Sequence, residues 1–117
     1  MAGTILHFGL DHSAKLSVLS SAGFCVSDCG CSLDEFLAAL ERIRDIEAIV
    51  MSGCHNKTAE AVVLARERCP APLILFESPV SQYDPSKFDL VIPALTPPQS
   101  WLASIAAAIE RSRTLGD

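Results

Sequence analysis

Ile46-Glu-Ala-Ile-Val-Met-Ser-Gly-Cys-His-Asn-Lys57 is the stretch that decides the fold. Its core, Ala48-Ile-Val-Met51, is apolar without alternation, as in a strand covered on both faces. Gly53 breaks the run, and from Thr58 a helical pattern continues to Arg68, where Pro70 and Pro72 end it. Strand, polar loop and helix in that order form the unit of a parallel α/β sheet. Such sheets place working residues at the carboxyl tips of their strands. Here the tip residue is Ser52.

Working outward, the chain repeats the unit. Thr4–Leu10 reads as a first strand, followed by a short helix that Asp11 or Ser13 caps and that turns Leu16, Leu19 and Val18 inward. Gly23 stops this helix, and Phe24–Asp28 reads as a second strand. Ser32-Leu-Asp-Glu35 has the form of a capping box. Leu33, Phe36, Leu37, Leu40 and Ile43 then recur at spacings of three and four, giving the second helix one apolar face. In the third helix Ala59, Val62, Val63 and Ala65 or Arg66 divide between core and rim. Leu73–Phe76 and Phe88–Ile92 read as the fourth and fifth strands, and Val80–Lys87 between them as a loop without helical period. Thr96 caps a last helix, with proline at its first position, Gln99 completing a capping box, and Trp101, Leu102, Ile105 and Ile109 as its apolar stripe.

Strands alternating with helices require right-handed crossovers and helices on both faces of the sheet. The expectation is one domain over residues 1–117, a three-layer flavodoxin-like α/β fold. Its parallel sheet has five strands, and its fourth helix is shortened or missing. A hydrophobic fraction of 50% with 20% charged residues suits a well-buried interior. The net charge of −5 and the scattering of nine basic residues argue against nucleic-acid binding, which needs clustered cations. No run approaches the ~20 apolar residues that span a bilayer. Met1-Ala-Gly-Thr4 lacks the start of a signal peptide. A cytoplasmic chain with five cysteines kept as thiols is the resulting expectation, and an odd number suits no disulfide framework.

With Ile5-Leu6, Gly23-Phe24, Ala48-Ile-Val-Met51, Pro72-Leu-Ile-Leu-Phe76 and the terminal amphipathic helix in place, the chain resembles the receiver domain of bacterial response regulators (CheY-like) over nearly its whole length. The resemblance implies a site whose parts have changed. The acidic pair that binds magnesium in the family falls on Gly9-Leu10-Asp11, leaving only Asp11. The phosphoacceptor aspartate falls on Ser52. The switch threonine or serine falls on Glu77, with Ser78 one step later, and the lysine ending the fifth strand is lost in Pro93-Ala-Leu-Thr96. One carboxylate makes a poor magnesium site, and a serine needs a base to act as a nucleophile. The resemblance therefore implies a pseudo-receiver that signals without phosphorylation, by contact with a protein partner or a second copy of itself. It calls for no catalysis, cofactor or metal. The last helix with the fifth strand is the expected interface, with Trp101 and Ile105 on it. A conventional phosphorylated receiver stays open if the strand alignment shifts by a residue or two.

A different class also stays open. If Gly53, Cys54, His55 and Asn56 open the third helix, its N–H groups favour an anion and lower the Cys54 pKa, as in a small anion-binding protein or thiol enzyme. Cys25 and Cys29 would share a face of the second strand about 13 Å apart at ~3.3 Å per residue, too far to share a zinc ion. Cys29 and Cys31 could meet across Gly30, but two thiols do not make a site. His7, mid-strand in an apolar run, reads as a core histidine with a hydrogen-bond partner, and His12 as the start of a helix.

Overall fold

The computed structural model describes residues 3–10, 15–52, 57–77, 85–93 and 95–116. Five strands, β1 (Thr4–Phe8), β2 (Cys25–Asp28), β3 (Ile46–Met51), β4 (Leu73–Phe76) and β5 (Leu90–Ile92), form one parallel sheet in the order β2-β1-β3-β4-β5. This is the flavodoxin-like arrangement. Among the described residues four helices cover it: α1 (Lys15–Ser21), α2 (Leu33–Arg42), α3 (Thr58–Arg68) and α4 (Pro98–Gly116). Among the described residues between β4 and β5 there is only a 3-10 turn, Pro85–Lys87, where a fourth helix was expected to be short or missing.

Alternation along the strands divides the core into two. Leu6, Phe8, Ile49, Met51, Leu73 and Leu75 face α2 and α3, where Phe36, Leu40, Ala61, Val62 and Ala65 meet them. Ile5, Ala48, Val50, Ile74, Phe76 and Ile92 face the other side and pack with Leu19 of α1 and with Trp101, Ile105 and Ile109 of α4. Every residue of β1 and β4 is buried, which explains the unbroken apolar runs.

Details depart from expectation for local reasons. Ser32 Oγ accepts from Glu35 N–H at 3.2 Å, but Ser32 N–H goes to the Cys29 carbonyl, so only half of the capping box is made. The buried face of α3 is Thr58, Ala61, Val62 and Ala65, which turns Val63 outward at 54% exposure. β5 begins at Leu90 and not at Phe88: the Asp89 N–H still donates to the Leu73 carbonyl at 2.8 Å, but the Leu73 N–H turns to the Asp89 side chain. Asp89 Oδ2 accepts the Leu73 N–H at 2.7 Å and the Arg66 guanidinium at 3.0 Å. α4 starts one residue later than expected, at Pro98, where the Ser100 and Trp101 N–H groups reach the Pro97 carbonyl.

The cysteine expectations need correction. β2 ends at Asp28, so Cys25 is exposed while Cys29 lies beyond the strand and is buried; the two do not share a face. Cys31 is disulfide-bonded, so the five cysteines do not all remain thiols. What stands is that no helix among the described residues is long and apolar enough to cross a membrane.

Candidate functional site

The strand order reverses direction between β1 and β3, and the carboxyl tips of β2, β1 and β3 lie side by side. His7 pairs with Asp28 on one flank and with Val50 on the other, which puts Ser52 two residues beyond Val50, just past the end of β3. Ile5 and His7, Val26 and Asp28, and Val50 and Ser52 all follow the same alternation. Their side chains therefore belong to the α1/α4 side of the sheet, where Ile5, Val26 and Val50 pack.

The three polar groups are joined. His7 Nδ1 lies 2.9 Å from Asp28 Oδ1, and His7 Nε2 lies 2.8 Å from Ser52 Oγ. The imidazole is 1% exposed and Ser52 8%. Asp28 is half exposed, and its Oδ1 also accepts the Gly30 N–H at 2.9 Å. Partial burial pushes the Asp28 carboxyl up, but the His7 and Gly30 hydrogen bonds and the charge on His7 outweigh it and hold the group below its ordinary 3.8. At neutral pH Asp28 is an acceptor only, so Nδ1 carries a proton towards it. In the neutral ring Nε2 is then the acceptor, and the Ser52 hydroxyl donates to it. Sequence reading found Ser52 and foresaw a partner for His7, but it missed Asp28 and the link among the three.

Backbone contacts fix the serine from behind. Ser52 N–H donates to the Phe8 carbonyl at 2.9 Å, and Gly9 N–H to the Gly30 carbonyl at 2.7 Å. Gly9 has a φ of 122°, and a Cβ there would collide with the Ser52 carbonyl. The neighbouring thiol, Cys29, donates to the Glu35 carbonyl at 3.8 Å, and burial with the negative charges of Asp28 and Glu35 pushes it up to about 11. It is an inert thiol.

The other expected positions separate. Glu77 sits exposed just past β4, its N–H bonded to the Ile92 carbonyl. Lys15 lies 5.1 Å from the centre of the Phe76 ring, at the end of the same strand. Asp11, Ser78, Gly53, Cys54, His55 and Asn56 lie outside the described residues. Trp101 and Ile105 are 2% and 0% exposed, so the expected interface anchors are core residues, turned inward by the alternation of α4. Among the described residues no cluster of three or more histidines, cysteines or acids could hold a metal ion.

The Asp28 shift has a measurable consequence. A depressed carboxyl contributes stability that is complete above the unfolded value of 3.8 and is lost as pH falls through the lower folded value. The urea midpoint of the wild type relative to Asp28→Asn should hold steady from neutrality to about pH 5 and converge below 3.8. Because Asp28 is half exposed, the difference should stay below about 1 kcal/mol.

No protein-family model and no curated protein matches the sequence. Solved structures match its fold. The receiver domain of a sensor histidine kinase from Pseudomonas aeruginosa, with magnesium in its active-site cleft, superposes with a TM-score of 0.75 at 15% identity, over 94% of this chain and 99% of that one. A response-regulator receiver domain from Clostridium thermocellum gives 0.74 at 13% identity, over 98% and 99%. An adenylate cyclase structure from Rhodopirellula baltica gives 0.75 at 16% identity, over 99% and 93%. Both the strand order and these superpositions lead to one conclusion: the chain has the fold of a response-regulator receiver domain.

Proposed function

We propose that the chain is a pseudo-receiver, a signalling domain of bacterial signal transduction that works by protein–protein contact without aspartyl phosphorylation. The observation that carries this reading is the tip of β3, where the receiver fold keeps its phosphoacceptor carboxylate. This chain has Ser52 there, its hydroxyl tied to the buried His7. A carboxylate attacks a phosphoryl donor unaided by a base, whereas a buried hydroxyl already bonded to an imidazole offers a different reaction.

The output face of this reading is the open edge of the sheet. β5 is an edge strand, Leu95 beyond it is 95% exposed, and the outer side of α4 carries Ala103, Ala106, Ala107 and Glu110. Small side chains let a partner's backbone or a second copy approach closely. Buried Trp101 and Ile105 support that helix from beneath.

The test is incubation with phosphoramidate and magnesium, followed by intact-mass measurement. The unmodified mass is expected. An adduct of one phosphoryl group that acid-stable and acid-labile assays assign to an aspartate would sink the reading.

A further inference from the structure

The Ser52–His7–Asp28 chain has more in it than a signalling surface requires. A buried histidine could be satisfied by any two partners, yet these two are of the kind and order that activate a nucleophile. In the neutral imidazole the hydroxyl donates to one ring nitrogen, and the ionised carboxylate holds the proton on the other. Asp28 is itself held by the Gly30 N–H, so the imidazole is oriented from outside while its other nitrogen faces the serine. The three residues come from three adjacent strands and meet at the sheet's switch point, where α/β folds bind ligands.

We propose that Ser52 is a base-activated nucleophile that takes up a small acyl group from an activated acyl donor. In the step, Ser52 Oγ forms a bond to the acyl carbon while its proton passes to His7 Nε2. The bond from the acyl carbon to the leaving oxygen breaks, the proton on Nε2 goes to that oxygen, and His7 returns to its neutral form. Asp28 is the positioning residue that keeps the ring in the accepting tautomer. Charge balance is complete within the donor and these residues. Ser52 keeps 8% of its surface exposed, so the acyl group in the proposal is a small one. Its own N–H is bonded to the Phe8 carbonyl and is not available to an oxyanion, so uptake is slow and the ester persists. Cys29, a buried thiol packed on the other face of the sheet, is held protonated and does not compete.

The experiment treats the full chain with p-nitrophenyl acetate and locates the acetyl group by intact mass and peptide mapping. One acetyl group on Ser52 is expected, absent from Ser52→Ala. Asp28→Asn should slow the labelling by about 10²-fold, since the amide can donate to Nδ1 and leave Nε2–H facing the serine. Asp28→Glu should restore part of the rate, which a merely structural role would not require. Asp28 is half exposed, so these variants should keep the native circular dichroism, which is checked for each. Acetyl groups spread over lysines and thiols equally in wild type and Ser52→Ala would overturn the proposal. So would labelling of Ser52 in folded Asp28→Asn at the wild-type rate. Phosphoramidate carries no acyl group and p-nitrophenyl acetate no phosphoryl group, so this proposal and the pseudo-receiver reading can fail separately.

Discussion

Trp101→Ala should destabilise the domain by about 4 kcal/mol, the middle of the range for truncating a buried tryptophan. For a chain of this length that lowers the melting temperature by roughly 15 °C. The size follows from what surrounds the indole. Trp101 is 2% exposed and meets the Phe76 ring edge-on, with centroids 5.1 Å apart and planes at 80°. Ile74, Ile92 and Ile105 belong to the same cluster and come from the sheet and from α4 itself, so the void cannot be filled by one side chain turning. Urea or thermal unfolding measures the loss. The result also separates two roles that sequence alone could not. An interface tryptophan would leave monomer stability nearly intact and change the mass in light scattering; a core tryptophan does the reverse.

That ambiguity shows where sequence was legible. Periodicity located the helices well: α3 was expected and found at Thr58–Arg68, and β4 at Leu73–Phe76. Those elements have their boundaries set by Pro70, Pro72 and Glu77, residues that act locally. Periodicity alone left open which apolar stripe meets the sheet, as Val63 and Trp101 show, because that depends on helix rotation against strands far away in the chain. The polar chain was harder still. His7, Asp28 and Ser52 are separated by 21 and 45 positions, and each looks ordinary in its own segment. Only strand order and register bring them together. Once β2-β1-β3 is granted, alternation alone puts all three on one face, so the signal was present in the parity of Ile5/His7, Val26/Asp28 and Val50/Ser52. The half capping box at Ser32 and the displaced start of β5 are different in kind. There a backbone N–H found a better acceptor, Cys29 O or Asp89 Oδ2, which no pattern of residue types announces.

Gly9→Ala should cost about 3 kcal/mol and disturb Ser52. Two penalties combine. The φ of 122° lies in a region that a side chain enters at about 1–3 kcal/mol. Separately, the new methyl group would meet the Ser52 carbonyl, a backbone atom that cannot swing aside. Gly23→Ala isolates the first penalty, since Gly23 has a φ of 101° but nothing within 4 Å of a built Cβ. Urea unfolding of both variants should place Gly9→Ala clearly below Gly23→Ala, and equal losses would refute the collision. Relief of the clash has to come from β3 moving away from β1, which strains the Ser52 N–H bond to Phe8 and the 2.8 Å contact with His7. Acetylation at Ser52 should therefore drop in Gly9→Ala and stay unchanged in Gly23→Ala.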